Sequence, residues 1–292
     1  MHPYSICYPE CEQNGILFNS PHSGTGLSKE FLKQIIIDPD LIHRSGDIMV
    51  DDLIHNVSKF GAIRFTNHFS RSYVDTNRSS REIEPDMFQN QNKDNDFDRT
   101  AKVARGFGIF SCKSYNNQEI YAGKLPESEI NHRMTKIYHP VHKALSETLD
   151  RLRQKHGFYI LLDCHSMPSY QFINHFSNTG LSHTSQPDLI IGDCFDKSCS
   201  KDLSQHVAKY FTHHGLKVTF NTPYSGGFNT QNYGKPQDNR HALQLEFNRA
   251  LYMDEETLLP HNGFRPLQAV ITRLSENLND NLGGLFPLEK RF

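Results

Sequence analysis

"FYILLDCHS", residues 158–166, is an unbroken apolar run that ends abruptly on Asp163, Cys164 and His165. Continuous apolar character over this length, without polar alternation, marks a central strand covered on both faces of a sheet. Working outward, "GILFNSPHSG" gives a short strand ending in a polar turn, and "GAIRFTNHFSRSYVD" gives one or two more. "DLIIGDCF" and "HALQLEFNRALYM" read as further strands. Between them, 131–157 repeats Met134, Ile137, Tyr138, Val141, Ala144 and Leu145 near a 3.6-residue period and stops at Gly157, so it is a crossover helix that Pro140 kinks or interrupts. Alternating strands and amphipathic helices predict an α/β domain with helices on both faces of its sheet. "PDMFQNQNKDNDFDRT" reads as an exposed loop or lid.

Ligand sites in open α/β sheets lie beyond the carboxyl ends of the strands, so the polar residues there are the informative ones. Pro21-His22-Ser23-Gly24 follows the first strand, Arg71 and Asn77-Arg78 follow the next, and Asp163 and His165 close the central one. In the last strand a period of two sets Gln244, Glu246 and Asn248 on one face and Leu243, Leu245 and Phe247 on the other. Such a polar face belongs either to a half-solvated edge strand or to a site, because a buried carboxylate costs several kcal/mol unless paired, coordinated or protonated. Two histidines at strand ends near carboxylates match the inventory of a hydrolytic metal centre, which needs three protein ligands, an open water position and a free carboxylate. Asp163, on the same strand face as His165, is suited to hold the second imidazole nitrogen. For the third ligand, "GDIMVDDLIHNV" reads as helical, and Asp47 and Asp51, four residues apart, would share one helix face. Asp51 is the favoured ligand, with Asp47 as alternate or supporting carboxylate; the plainer reading makes Asp47 an N-cap. "DTNRSS", likewise, is good turn chemistry in its own right.

Bulk properties exclude several classes. The chain has 292 residues, a formal net charge of −2 and 22% charged residues, without the basic stripe that nucleic acid or an anionic membrane would select. No apolar run approaches a membrane span, and the start lacks a signal sequence, so a cytoplasmic protein is expected. Six cysteines at scattered spacings read as free thiols. Cys164, facing away from Asp163 and His165, reads as a buried inert thiol rather than a nucleophile. No linker appears, and residues 1–292 are expected to form a single hydrolase domain.

"NSPHSGTGL", "DIMVDDL", "SRSYVDTNR", "LLDCHSMP", "DLIIGDCF", "NTPYSGGF" and "LQLEFNRALYMD" resemble, in order, the successive motifs of the N-formylglutamate amidohydrolase family, which is similar to the zinc carboxypeptidase and aspartoacylase superfamily. The resemblance implies a three-layer α/β/α fold with a mixed central sheet. It implies Zn2+, or another divalent metal, on His22 and His165, with Glu246 as general base. It implies that Arg71, Asn77 and Arg78 grip the carboxylate of a small-molecule substrate, Arg supplying the planar fork. In the mechanism expected from this, Arg71 or a neighbouring donor helps to stabilise the developing oxyanion. Tyr224 and the glycines Gly226 and Gly227 suit a loop beside the pocket. One departure stands out: where the superfamily places a ligating Glu three residues after its first histidine, this chain has Thr25. The expected reaction is hydrolysis of an N-acyl-amino acid, N-formyl-L-glutamate foremost. Another N-acyl-amino-acid amidohydrolase, a carboxypeptidase-like enzyme and a non-catalytic binder of acidic ligands are the rivals.

Overall fold

The computed structural model describes residues 1–90, 96–169 and 186–286. Its sheet has seven strands: β1 (Tyr4–Cys7), β2 (Ile16–Ser20), β3 (Ile63–Asn67), β4 (Tyr159–Met167), β5 (Leu189–Gly192), β6 (Val218–Phe220) and β7 (Arg240–Asn248), in the order β1-β3-β2-β4-β7-β5-β6. The sheet is mixed. β4 runs parallel to both β2 and β7, whereas β5 is antiparallel to β7 and parallel to β6.

The apolar run of residues 158–162 therefore lies at the centre of the sheet, where every residue of β4 is buried. β7 lies between β4 and β5, so the edge-strand reading of its polar face is overturned: Gln244, Glu246 and Asn248 are only 5–6% exposed. Two short strands had no signal in the sequence. β1 and β6, of four and three residues, lie at the two ends of the sheet and are too short for a period to show.

The chain forms two compact units that interleave along the sequence, so neither is a contiguous segment. The larger comprises Ile6–Ser20, Met49–Phe65 and Thr148–Phe292, and the smaller Met1–Ser5, Pro21–Ile48 and Thr66–Glu147. The larger unit contains β2, β4, β5, β6 and β7 whole. Packed within it are the helices Lys201–His213 and Phe264–Leu285, whose amphipathic faces bury Leu203, Val207 and Phe211 in one and Leu267, Ile271, Leu274 and Leu278 in the other. The smaller unit has a core of Phe31, Tyr73, Ile83, Phe88, Ile109, Phe110 and Ile120. Arg133 is fully buried in it, with Nε donating to Glu129 (2.9 Å), its two terminal nitrogens to Tyr121 Oη (3.1 Å) and Gln34 Oε1 (3.0 Å), and the guanidinium 4.4 Å from the Tyr73 ring centroid. Burying a guanidinium costs several kcal/mol unless its donors are matched, as they are here.

Helical structure runs over residues 128–156, with a π-turn at Met134–Tyr138. The π-turn directly precedes Pro140, which has no N–H to give the preceding turn, so the helix widens there and continues. It ends at Gly157, φ 78°, a left-handed position that glycine adopts without steric cost. The expected helix carrying both Asp47 and Asp51 does not form. Met49 takes a left-handed conformation, φ 61°, the helix is confined to Val50–Leu53, and Asp47 stays in the loop before it. In the expected lid, Pro85–Met87 forms a 3-10 turn whose Met87 is buried, and residues 91–95 lie outside the described residues.

Candidate active site

The turn after β2 presents His22 within the smaller unit. Its Nε2 lies 2.7 Å from Asp75 Oδ1 and its Nδ1 3.3 Å from Asp47 Oδ2, all three residues being buried. A carboxylate only accepts, so the Nε2 proton is donated to Asp75 and the Nδ1 lone pair faces the Asp47 carboxylate. A lone pair and an anionic oxygen at that distance repel unless a second proton or a cation lies between them. Asp47 is fixed by its N–H, which donates to the His22 carbonyl (3.0 Å), and a side chain at Gly46 would press on that carbonyl, its Cβ falling 3.0 Å from the oxygen.

Asp75 is the hub of this cluster. Its Oδ1 also accepts from the Asn77 N–H (2.8 Å), and its Oδ2 accepts from Arg71 (2.8 Å) with Arg78 Nε 3.7 Å away. Burial pushes its carboxyl pKa up, but Arg71, then His22 and Arg78, outweigh burial and hold it well below the usual carboxylate range. Arg78 is itself anchored through Nε to the Phe107 carbonyl (3.0 Å), and its own carbonyl accepts from Tyr138 (2.8 Å). The turn reading of "DTNR" is thus correct at the backbone, because Asp75 caps Asn77 as an Asx-turn does. Asp75 is a site residue that none of the sequence motifs marks. Its signal lies in the spacing, four residues after Arg71 and three before Arg78, close enough for the turns of this segment to bring its carboxylate to both.

In the larger unit, His165 Nε2 lies 2.9 Å from Asp163 Oδ2, as the period of two requires, which again leaves Nδ1 as the lone-pair nitrogen. Asp163 is completely buried and is held by two carboxamides: Asn19 donates at 2.6 Å from the register position opposite it on β2, and Asn229 at 3.3 Å. Directly across from His165 on β7 stands Glu246. Its Oε1 accepts from Gln244 Nε2 (2.7 Å), and Gln244 is oriented by the Gly227 N–H, which donates to its Oε1 (2.6 Å). Gly226, φ 130°, makes that approach possible, and a Cβ at Gly192 would meet Gly226 N and the Ser225 carbonyl carbon at 2.8 Å. Tyr224 packs against Met167 and Ile190. Asp51 lies on the short helix Val50–Leu53, partly buried, with its pKa raised by burial and by Asp52.

All six cysteines are free thiols. Burial drives the Cys164 pKa well above its ordinary value, so the thiolate a nucleophile requires is suppressed. No helix among the described residues is long and apolar enough to cross a membrane.

The N-formylglutamate amidohydrolase family model matches residues 14–253. N-formylglutamate deformylase of Pseudomonas aeruginosa is 27% identical over 273 residues, 90% of this chain and 92% of that protein, and its counterpart in Pseudomonas putida is 25% identical over 268 residues, 90% and 91% respectively. The crystal structure of N-formylglutamate amidohydrolase from Ralstonia eutropha JMP134 superposes with a TM-score of 0.86 at 28% identity, covering 96% of this chain and 99% of that one.

Proposed function

The chain belongs to the N-formylglutamate amidohydrolase family and is a hydrolase of that family, and from that premise we propose that it cleaves N-formyl-L-glutamate to formate and L-glutamate at a divalent-metal centre, Zn2+ being the best fit. Both units, residues 1–292, are read as one cytoplasmic hydrolase domain.

The observation that carries the metal reading is the pair of imidazoles, each with one nitrogen committed to a buried carboxylate. This is the arrangement in which protein ligands hold zinc, the outer carboxylate fixing tautomer and ring orientation. His22, Asp47 and His165 are the ligands, two imidazoles and one carboxylate. Asp47 takes the role for which Asp51 is favoured by sequence, because it is Asp47 that faces the His22 lone pair. A carboxylate from a neighbouring loop thereby substitutes for the Glu that Thr25 replaces. A divalent metal held by these residues would supply Lewis-acid chemistry, lowering the pKa of a bound water toward about 7 and polarising the formyl carbonyl.

The remaining steps belong to the chain's own residues. Glu246, steered by Gln244, accepts the water proton as the oxygen adds to the formyl carbon, then delivers it to the amide nitrogen as the C–N bond breaks. Asn77 and Arg78 hold a substrate carboxylate, and Arg71, tethered by Asp75, donates toward the carboxylate or the developing oxyanion. Tyr224 lines the substrate side from the 221–228 loop. Holding the amino-acid part in this way positions the scissile bond, an effect worth several kcal/mol.

The test is hydrolysis of N-formyl-L-glutamate against N-acetyl-L-aspartate and a short peptide by metal-stripped protein with zinc added back. Zinc-dependent formate release as the fastest reaction is the expected result. Preference for another N-acyl compound would move the substrate assignment, and turnover unaffected by stripping would end the metal reading.

A further inference from the structure

The substrate proposed above carries two carboxylates, and one Asn-Arg pair accounts for only one of them. Resting on that reading, we propose that Lys102 is the specificity-determining residue for the second, side-chain carboxylate, and that it thereby selects a dicarboxylic N-formyl-amino acid over its neutral amide counterpart.

Lys102 lies on the short helix Ala101–Ala104, whose first turn is capped by Thr100 and whose Val103 is buried. Backbone bonds fix this segment against the one that bears Asn77 and Arg78. The Lys102 carbonyl accepts from the Phe107 N–H (2.9 Å), and the Phe107 carbonyl accepts from Arg78 Nε (3.0 Å). Ile109 N–H donates to the Glu82 carbonyl and the Ile109 carbonyl accepts from the Asp75 N–H, both at 2.7 Å. Gly106, φ 87°, makes the tight turn between them. Lys102 is consequently held near Arg78 by the main chain, while its side chain is exposed and open to a ligand.

The charge inventory shows why an anion is needed there. Arg78, Asp75, Arg71 and Glu82 all act on the Lys102 ammonium. Asp75 is occupied by His22, Asn77 and Arg71, and Glu82 accepts from Thr100 Oγ1 through one oxygen and the Ser79 N–H through the other (both 2.9 Å). Among the described residues Lys102 has no carboxylate partner. Partial desolvation of the ammonium by its neighbours, and after it the nearby Arg78, lowers its pKa, although the residue keeps contact with solvent. Arg105, the other cation of this segment, turns Nε onto the Ala101 carbonyl (3.2 Å) and so is a poorer candidate.

Steady-state kinetics on N-formyl-L-glutamate and N-formyl-L-glutamine, which differ by that one charge, test the assignment with Lys102→Met and Lys102→Arg. A lost charge-assisted bond predicts that Lys102→Met lowers kcat/KM for the glutamate substrate about tenfold to a hundredfold, mainly through KM. The glutamine substrate should be unaffected, and Lys102→Arg should recover part of the loss. Equal losses on both substrates, or none on either, would overturn the proposal. Calorimetric binding of L-glutamate against L-glutamine to the zinc-loaded protein is read in parallel. A wild-type preference for glutamate that Lys102→Met abolishes supports Lys102 even if N-formylglutamate is not turned over, a result that would remove the assigned reaction instead. No wild-type preference would remove Lys102.

Discussion

In the smaller unit the carboxylate behind the imidazole, Asp75, meets two arginines; in the larger unit its counterpart behind His165, Asp163, meets two carboxamides. Both aspartates are buried and both accept from Nε2 at under 3 Å. The difference lies in what offsets the negative charge. Asp75 is balanced by the two arginines proposed to hold the substrate, so its charge, the imidazole it contacts and those arginines form one electrostatic unit. Asp163 is balanced by neutral dipoles, so it can steer His165 with little effect on ligand affinity. If Arg71 and Arg78 hold the substrate as proposed, one histidine would be tied to substrate recognition and the other insulated from it.

The largest effect should come from Glu246, the proposed base, which stands across from His165. Glu246→Gln is expected to lower turnover by roughly a hundredfold to ten-thousandfold while zinc content and substrate affinity hold, measured by single-turnover kinetics and metal analysis. Retained turnover would remove Glu246 from that role.

A third histidine sharpens the contrast because it has no carboxylate at all. His241, buried on β7, accepts from the Ser200 N–H at Nδ1 (3.1 Å), while Nε2 has no partner among the described residues, and burial lowers its pKa from 6.5 to about 4. The folded protein then resists protonation that the unfolded chain accepts. Stability is fully present above pH 6.5 and is lost as pH falls toward 4, by on the order of 3 kcal/mol. Chemical denaturation from pH 7 to pH 4 should show that loss in the wild type and little of it in His241→Asn, whose side-chain oxygen can still accept from Ser200. Equal slopes would refute the assignment.

The comparison itself is broken or upheld by Asp75→Asn and Asp163→Asn. Each should weaken zinc binding about tenfold to a hundredfold. Only Asp75→Asn should also change KM, because only it leaves Arg71 and Arg78 without their counter-charge. If both variants move KM alike, the two carboxylates are not the separate devices described. Smallest of all, Asn229→Ala should cost about 1 kcal/mol of stability by urea denaturation, since Asn19 still donates to Asp163.

The same contrast explains how much could be read in advance. Asp163 and His165 were legible because a strand's period of two puts them side by side, and the polar face of β7 was legible for the same reason. The pairing of His22 with Asp75 joins residues 53 apart through loop structure, for which no periodicity exists. Asp47 and Asp51 are placed on one face by a helical spacing that fails at Met49, a residue whose left-handed backbone nothing in its side chain announces. Sequence patterns reported what regular structure dictates and were silent where loops bring donors together.

The contact from Gly227 to Gln244 carries that lesson to the level of inheritance. The group that orients the partner of Glu246 is a main-chain N–H, and Gly227 itself has an ordinary extended backbone, φ −92° and ψ −167°. Every amino acid but proline supplies that donor, so drift at this position can erase the residue while preserving the function. Should Glu246 act as proposed, one support of the chemistry would be written in the path of the chain, and a comparison of side chains among relatives would pass over it.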